Sequence, residues 1–311
     1  MTAKKPRPSL EWVITESCNY NCPYCCSEGR GGHCSDETVE AVFRLISELE
    51  DEWLIKLVGG EPSTHPRFFD ICSAVTGAGH KLCMTTNFSP SLSRLEKLIG
   101  ISGDRLEYIT ASLHLGQIKK IEDFIEKAHV FNATKNRETQ FTITSVVTED
   151  NFRETKEIET QFIEKGVPFK YQVMKAGGKF VDYPEAIETY ISDRLIEKTE
   201  ELRGKNLFGT MCRTGQLFFK INVDGEAVRC YSNQPYFHLG NLKSNFSRFE
   251  KPKPCLAGRC TCTVPANRNM IEFGNKAPFL KTAGEYIRGL YSNMTHMITR
   301  TKSSSKTTTF F

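Results

Sequence analysis

The sequence predicts an α/β fold, because strand-like and helix-like segments alternate six times over residues 10–174. The predicted strands are short apolar runs that span residues 10–16, 53–58, 81–85, 106–112, 141–147 and 167–174. Short turns link them to the helices, which implies parallel strands joined by right-handed crossover helices. Periodicity alone does not distinguish an open doubly wound sheet from a barrel or a partial barrel.

The helices are predicted from caps and apolar spacing. Ser35 is an N-cap candidate, with Asp36 and Glu37 in the first turn, where the helix dipole favours negative charge. Apolar residues then recur at helical spacing. Further helices are predicted at residues 67–76, 118–128 and 151–165, and Gly166 ends the last of them.

After residue 174 the pattern changes. A polar helix is predicted at residues 183–203, and strand-like runs at 217–222 and 226–230 flank the turn Val223-Asp224-Gly225. An Asp-Gly pair between two such runs is typical of a β-hairpin. The sequence therefore predicts a second, smaller unit after the α/β part. The tail, rich in Ser, Thr and Lys, is predicted to be disordered.

The composition is that of an ordinary globular protein. Hydrophobic residues make up 39% of the 311 residues, and 41 basic against 37 acidic residues leave a net charge of +4. This balance argues against nucleic acid or a membrane as the main partner. We find no secretory signal and no segment with the length of a membrane-spanning helix, so we expect a cytoplasmic protein.

The twelve cysteines fall into two groups. Five lie between Cys18 and Cys34, five lie between Cys212 and Cys262, and two lie between the groups, in apolar runs typical of a core. In a reducing compartment such cysteines indicate metal binding or catalysis and not a disulfide framework. Two groups suggest two metal sites.

The first group contains a C-x3-C-x2-C motif, formed by Cys18, Cys22 and Cys25, directly after the first predicted strand. Three thiolates can hold three irons of a [4Fe-4S] cluster and leave the fourth iron open for a substrate or cofactor. The alternative is a closed zinc site, in which Cys26, His33 or Cys34 supplies a fourth ligand.

This motif resembles the signature of the radical S-adenosylmethionine (SAM) superfamily. Tyr24 fits as the aromatic residue that the family places near the adenine of SAM. The end of the second strand resembles the family's GGE motif, which holds the amino group of SAM, and comprises Gly59, Gly60, Glu61 and Pro62. The resemblance implies a partial (β/α)6 barrel with its chemistry at the carboxyl ends of the strands.

Further SAM contacts follow from the same resemblance. Thr86 and Asn87 end the third predicted strand, and Ser112 ends the fourth, where the family has polar residues. Two positions after Ser112 the family often has an acidic residue, but this chain has His114. We take His114 as a candidate catalytic residue of the substrate pocket.

The second group resembles the auxiliary-cluster subdomains called SPASM and Twitch. Cys212 is followed by twelve residues, Gly225, four residues and Cys230, and the glycine makes the hairpin turn between them. The remaining candidate ligands are Cys255, Cys260 and Cys262. Five cysteines suffice for one auxiliary [4Fe-4S] cluster. Its expected ligands are Cys212, Cys230, Cys255 and either Cys260 or Cys262. A zinc knuckle remains the alternative.

The resemblance divides the chain into four parts. We predict a radical SAM core at residues 1–182, a bridging helix and linker at 183–211, an auxiliary-cluster subdomain at 212–300, and a disordered tail at 301–311. The predicted fold class is therefore α/β. A partial (β/α)6 barrel is followed by a small cysteine-rich subdomain that contains a β-hairpin.

The implied function is reductive cleavage of SAM and abstraction of hydrogen from a substrate C–H bond. We expect net oxidation or epimerisation of a small molecule, such as a sugar, aminocyclitol or nucleoside, with the auxiliary cluster as electron acceptor. Flavodoxin or ferredoxin is the expected reductant. Only about ten residues precede the first strand, which favours a small molecule over a ribosomally made peptide, the alternative substrate. A non-enzymatic zinc or electron-transfer protein is the alternative of another class.

Overall fold

The computed structural model describes residues 5–25, 31–176, 179–196, 205–231, 238–258, 260 and 264–288. Its main feature is a nine-stranded sheet. Six parallel strands form most of it, namely β1 (Ser9–Thr15), β2 (Leu54–Gly59), β3 (Lys81–Thr86), β4 (Leu106–Leu113), β5 (Gln140–Val147) and β6 (Phe169–Val173).

The strand order decides between the two sheet types that periodicity left open. The order runs from β1 to β6 without reversal, whereas a doubly wound sheet reverses at a switch point. The crossover helices are α1 (Asp36–Glu48), α2 (Phe68–Gly77), α3 (Leu92–Ser102), α4 (Ile121–Thr134) and α5 (Phe152–Glu164). The predicted partial barrel of six strands is confirmed, and α3 is a helix that the sequence analysis did not delimit.

The two faces of the sheet differ in chemistry. Leu10, Trp12 and Ile14 of β1 pack with helix residues in the main hydrophobic core. The alternate position Glu11 faces the other way and pairs with Lys56 of β2 at 3.1 Å. The apolar face thus packs against the helices, and the other face lines the inside of the barrel.

The predicted helix at residues 183–203 is not continuous over its described part, and residues 197–203 lie outside the described residues. Strands β7 (Lys175–Ala176) and β8 (Lys179–Phe180) form a small hairpin, and α6 covers only Glu185–Ile191. A 3-10 turn, Ser192–Arg194, follows, and Leu195 then forms a bridge to β6. A buried carboxylate explains the stop, because Glu159 of α5 accepts hydrogen bonds from Tyr171 and Tyr190 and pairs with Arg194.

The predicted hairpin is present, but it continues the main sheet. Strands β9 (Thr210–Cys212), β10 (Phe218–Ile221), β11 (Glu226–Val228) and β12 (His238–Asn241) follow α6. β10 pairs in parallel with β1, while β11 and β12 add antiparallel strands outside it. The polypeptide after residue 212 therefore extends the barrel at its β1 edge.

The last part of the chain forms a second, three-stranded sheet. β13 (Lys253–Pro254) and β14 (Ile271–Lys276) both pair with β9, and the short helix α7 (Val264–Asn267) lies between them in sequence. Residues 279–288 are helical. The predicted disordered tail, residues 301–311, lies outside the described residues. Among the helices in the described ranges, none has the length and apolarity to cross a bilayer.

Candidate functional site

The cysteine loop follows β1 at the carboxyl end of the barrel. Cys18 and Cys25 are exposed and Cys22 is half-buried, so all three thiols are free cysteines at an open edge. Burial, together with the neighbouring Cys25 and Cys18, raises the pKa of Cys22 to about 11. A bound cation reverses this effect because it stabilises thiolates.

Two of the three residues considered as a fourth zinc ligand are engaged elsewhere. Nδ1 of His33 lies 2.8 Å from the hydroxyl of Thr15. The Cys34 thiol is buried and donates to the carbonyl of Val13 at 3.3 Å. Cys26 lies outside the described residues. The assignment of Cys18, Cys22 and Cys25 as the donor set of an open-iron cluster stays a prediction.

Gly59 and Gly60 let two backbone segments meet. The amide of Gly60 donates to the carbonyl of Thr15 at 2.9 Å, and the amide of Glu61 donates to that of Ser17 at 2.9 Å. A Cβ at Gly60 would lie 2.1 Å from the Ser17 carbonyl oxygen, and one at Gly59 would lie 1.9 Å from that of Thr15. The absence of side chains at these glycines thus lets the end of β2 pack directly against the cysteine loop.

Glu61 is fully buried and sits in a hydrogen-bond network. Its carboxylate accepts from the amide and hydroxyl of Ser63 at 3.1 and 2.6 Å. It also accepts from the Thr86 hydroxyl at 2.9 Å and from the Asn87 amide at 2.7 Å. Glu61 thereby joins the end of β2 to the end of β3. Its predicted role, to hold the amino group of SAM, stays a prediction.

Asn87 links this network to the cluster loop. Its side-chain amide donates to Oδ1 of Asn19 at 2.8 Å and lies 3.8 Å from Sγ of Cys18. Asn87 therefore contacts the cysteine loop directly. Thr86 is linked to the loop through its hydrogen bond to Glu61.

His114 contacts the same loop from the other side. Its Nδ1 lies 3.1 Å from the Tyr24 hydroxyl, and the two rings stack with centroids 5.9 Å apart. Tyr20 meets the imidazole edge-on at 6.0 Å. Burial lowers the pKa of His114 to about 4, so the ring is neutral at pH 7. These contacts make His114 a support for Tyr24, beside any substrate contact that it makes.

Part of the inner face of the barrel carries hydroxyl side chains. Ser112 lies on this face opposite Thr144, one layer from a row formed by Thr85, Thr110 and Thr142 in register. Of these five residues only Thr144 is fully buried, and none belongs to a hydrophobic cluster. Hydroxyl groups thus line the space inside the strands.

The second cysteine group lines one small cavity, with a volume of about 10 Å³. Cys212, Cys230, Cys255 and Cys260 all line it and are all buried. Cys212 ends β9 beside β13 and β14, Cys230 follows β11, and Cys255 follows β13. Cys262 lies outside the described residues. The structure therefore brings four of the five predicted ligands together.

The donor sets fit the predicted cofactors. Soft thiolates are the ligands that iron–sulfur clusters require, and four buried thiols around one cavity match the ligand count of a closed [4Fe-4S] cluster. Within the described ranges, no three His, Cys, Asp or Glu side chains converge on one point closely enough to hold a metal ion. This finding covers both cysteine groups, so the zinc knuckle stays the alternative to the second cluster.

Sequence reasoning missed three residues of these sites. Gln117 exchanges hydrogen bonds with the backbone of Asn21 at 3.0 and 3.3 Å and so holds the cysteine loop. Arg229 and Thr214 are buried beside the second cysteine group. A charged residue inside the strand-like run before Cys230 was a visible signal for Arg229, whereas nothing local marked Thr214.

Comparison with known proteins supports the first motif. The Radical SAM superfamily model matches residues 12–114, from β1 to His114. A probable GTP 3',8-cyclase of Thermococcus kodakarensis is 32% identical over 114 residues, 35% of this chain and 36% of that protein. A GTP 3',8-cyclase of Klebsiella pneumoniae is 36% identical over 87 residues, 25% of this chain and 26% of that protein. The matched segments span well under half of these relatives.

Solved structures extend the likeness to most of the chain. Native anSMEcpe with bound AdoMet has a TM-score of 0.56 at 17% identity, with 76% of this chain and 78% of that chain covered. SuiB of Streptococcus suis bound to S-adenosylmethionine has a TM-score of 0.52 at 14% identity, with 73% of this chain and 61% of that chain covered. At such identities the likeness concerns the fold. The family model, which contains the cysteine loop, makes residues 12–114 similar to a radical SAM domain.

Proposed function

We propose that this protein is a radical SAM enzyme that oxidises or epimerises a polar small molecule, with a second [4Fe-4S] cluster as electron acceptor. Cys18, Cys22 and Cys25 would hold the first cluster. Cys212, Cys230, Cys255 and Cys260 would hold the second. The observation that carries the proposal is the polar interior of the barrel between these two cysteine sites.

The two sites belong to opposite ends of the strands. The cysteine loop follows the carboxyl end of β1, whereas the chain between Cys212 and β10 meets its amino end, where the amide of Ser9 donates to Leu217 at 2.8 Å. Arg268, from the loop after α7, reaches the hydroxyl of Tyr108 near the start of β4 at 2.7 Å. A seven-residue strand is about 20 Å long, which leaves room for a substrate between the sites.

The chemistry of the interior favours a hydroxylated small molecule. The row of Thr85, Thr110 and Thr142 offers donors and acceptors to a sugar, aminocyclitol or nucleoside. Below it, Glu11 and Lys56 form an ion pair that is only partly covered, since the Lys56 side chain is 23% exposed. Burial lowers the pKa of Lys56, but Glu11, Tyr108 and Cys83 together raise it more, so the net shift is upward and the ammonium stays charged.

The chain's own residues orient the cofactors. Asn87 contacts the Cys18 sulfur, and His114 holds Tyr24 in place for the adenine. Glu61 would act on the SAM site through its hydrogen bonds to Thr86 and Asn87, since its carboxylate is fully buried.

When bound, the first cluster and SAM supply a 5'-deoxyadenosyl radical that takes a hydrogen atom from the substrate, and the second cluster supplies an acceptor for one electron. Oxidation of an alcohol to a ketone then balances. One hydrogen atom goes to 5'-deoxyadenosine, one electron to the second cluster and one proton to solvent. The electron that cleaves SAM comes from an external reductant, for which we propose flavodoxin or ferredoxin.

The test is anaerobic reconstitution followed by iron and sulfide counting and a dithionite-driven assay of 5'-deoxyadenosine. We expect about eight irons per chain and formation of 5'-deoxyadenosine. Deuterated sugars, aminocyclitols, nucleosides and nucleotides are then screened for transfer of deuterium into 5'-deoxyadenosine. About four irons with SAM cleavage would leave the second site to zinc. Zinc without iron and no SAM cleavage would overturn the proposal.

A peptide substrate is the second candidate, and the neighbouring structures favour it. AnSMEcpe with bound AdoMet and Cp18Cys peptide has a TM-score of 0.54, and SuiB bound to the precursor peptide SuiA has the same score. Deuterium transfer from a labelled peptide, and from no small molecule in the panel, would select this function.

A further inference from the structure

Arg229 is a fully buried arginine at the second cysteine site. It directly precedes Cys230, and its guanidinium donates hydrogen bonds to several neutral oxygens. Nε donates to the carbonyl and the hydroxyl of Thr214 at 3.0 and 2.9 Å. Nη2 donates to the carbonyls of Cys212 and Lys253 at 3.3 and 2.7 Å.

These bonds tie together the segments that carry the cysteines. Nη1 of Arg229 also donates to the carbonyl of Pro254, at 2.9 Å, and Pro254 directly precedes Cys255. The guanidinium therefore joins the backbone at Cys212 and before Cys255 to the strand that leads into Cys230. A rigid planar fork suits this task better than a flexible ammonium group.

The hydroxyl of Thr214 passes the interaction on to a sulfur. It accepts from Arg229 at 2.9 Å and lies 3.4 Å from Sγ of Cys212. A guanidinium N–H cannot accept a hydrogen bond, so the hydroxyl keeps its own hydrogen for the sulfur. When Cys212 binds metal as a thiolate, it has no hydrogen to donate, and Thr214 must be the donor.

We propose that Arg229 and Thr214 form a relay that donates a hydrogen bond to the Cys212 thiolate and raises the reduction potential of the cluster in the four-cysteine cavity. The inference rests on the proposed function in one respect, that this cavity holds an iron–sulfur cluster. Hydrogen bonds to cluster sulfurs set such potentials. A fixed positive charge stabilises the reduced, more negative state, and Thr214 is 1% exposed, so water does not screen it.

The direction of this effect matches the function. A second cluster that accepts an electron from a substrate radical needs a potential above that of the couple between product and substrate radical, and a raised cluster potential increases this driving force. Asn87 approaches Cys18 at the exposed first site with a longer contact of 3.8 Å. The relay would thus raise the reduction potential of the second cluster relative to that of the first, because its hydrogen bond to a cysteine sulfur is shorter and buried.

The test uses Thr214→Val, which removes the hydroxyl and keeps the shape. In a background with Cys18, Cys22 and Cys25 replaced by Ala, the remaining iron reports the second site alone. We expect about four irons in this protein with or without Thr214→Val. A redox titration followed by electron paramagnetic resonance should show a more negative midpoint in Thr214→Val, and Thr214→Ser should restore the original value.

Thr155→Val is the matched control, because Thr155 is buried on α5, far along the chain from any cysteine, and its hydroxyl has no partner in the described structure. It should leave the midpoint unchanged. Should Thr214→Val fail to hold iron, the unsubstituted protein still tests the relay. After exchange into D2O, the reduced second cluster should show a coupled exchangeable deuteron.

The experiment distinguishes failure of the relay from failure of the second cluster itself. A second cluster with no such deuteron, or with the same midpoint in Thr214→Val, overturns the relay and leaves the proposed function intact. A triple-alanine background that binds no iron at all overturns the second cluster and the relay with it.

Discussion

The two cysteine sites of this protein are built in opposite ways. The first uses three cysteines within eight residues of one loop, and two of them are exposed. The second draws four buried cysteines from three separate segments around one cavity. The first site leaves an edge open for a cofactor, whereas the four described cysteines of the second site are all buried.

The supports of the two sites differ in the same sense. The cysteine loop is held by backbone contacts with Gly60 and Glu61 and by side chains from neighbouring barrel strands. The second site is held by one buried charged group, Arg229, whose bonds cross between segments. We therefore expect the two sites to fail independently, and the predictions below test that independence.

The largest effect should come from removing one ligand at each site. We expect Cys22→Ala to lower iron from about eight to about four per chain and to abolish SAM cleavage. Cys230→Ala should lose the other cluster, keep uncoupled cleavage of SAM and block substrate turnover. Iron counting and the 5'-deoxyadenosine assay check both variants. SAM cleavage by Cys22→Ala would contradict the assignment of the first site.

Arg229→Met should damage the second site alone. The variant leaves several buried carbonyl oxygens without donors, so we expect a loss of about 3–5 kcal/mol in the free energy of unfolding. Urea unfolding measures the loss, and iron counting should show that only the second cluster is missing. Arg153→Met is the control, because the Arg153 side chain is 94% exposed. Equal stability of the two variants would refute the structural role of Arg229.

Gly60→Ala should disturb the first site alone. Its Cβ would lie 2.1 Å from the carbonyl oxygen of Ser17, so the cysteine loop must move away. A displacement of this size is expected to slow SAM cleavage by about 100-fold, while the second site keeps its iron. Gly77→Ala serves as the control, since a Cβ there meets no atom within 4 Å. Unchanged cleavage in Gly60→Ala would show that the close contact is dispensable.

The smallest effect concerns pH and His114. Its pKa is lowered by burial from 6.5 to about 4, so the unfolded chain takes up a proton first as the pH falls. Stability is therefore complete above about pH 6.5 and declines toward pH 4, by at most about 2 kcal/mol at pH 5. Unfolding curves at pH 5 and 7.5 should show that His114→Gln reduces this decline, while His129→Gln does not. A decline of the same size in His114→Gln would assign it to other groups.

The difference between the sites also explains what sequence reasoning could reach. The motif at Cys18, Cys22 and Cys25 lies within one loop, so its spacing alone carries its geometry. At the second site the spacing from Cys212 to Cys230 gave the hairpin, but it left Cys260 and Cys262 undecided. The folded chain places Cys260 at the cavity, because residues far apart in sequence build that wall.

The sequence by itself determined the alternation of strands and helices, the position of the cysteine loop and the Gly-Gly-Glu-Pro stretch, because these depend on local spacing and periodicity. The folded chain was needed to show the strand order without reversal and the pairing of the hairpin with β1. It also decided that Gly60 serves a backbone contact and that Arg229 reaches Cys212 through Thr214. Such features depend on contacts between distant segments, and a charged side chain can remain buried there only because the fold supplies all its partners at once.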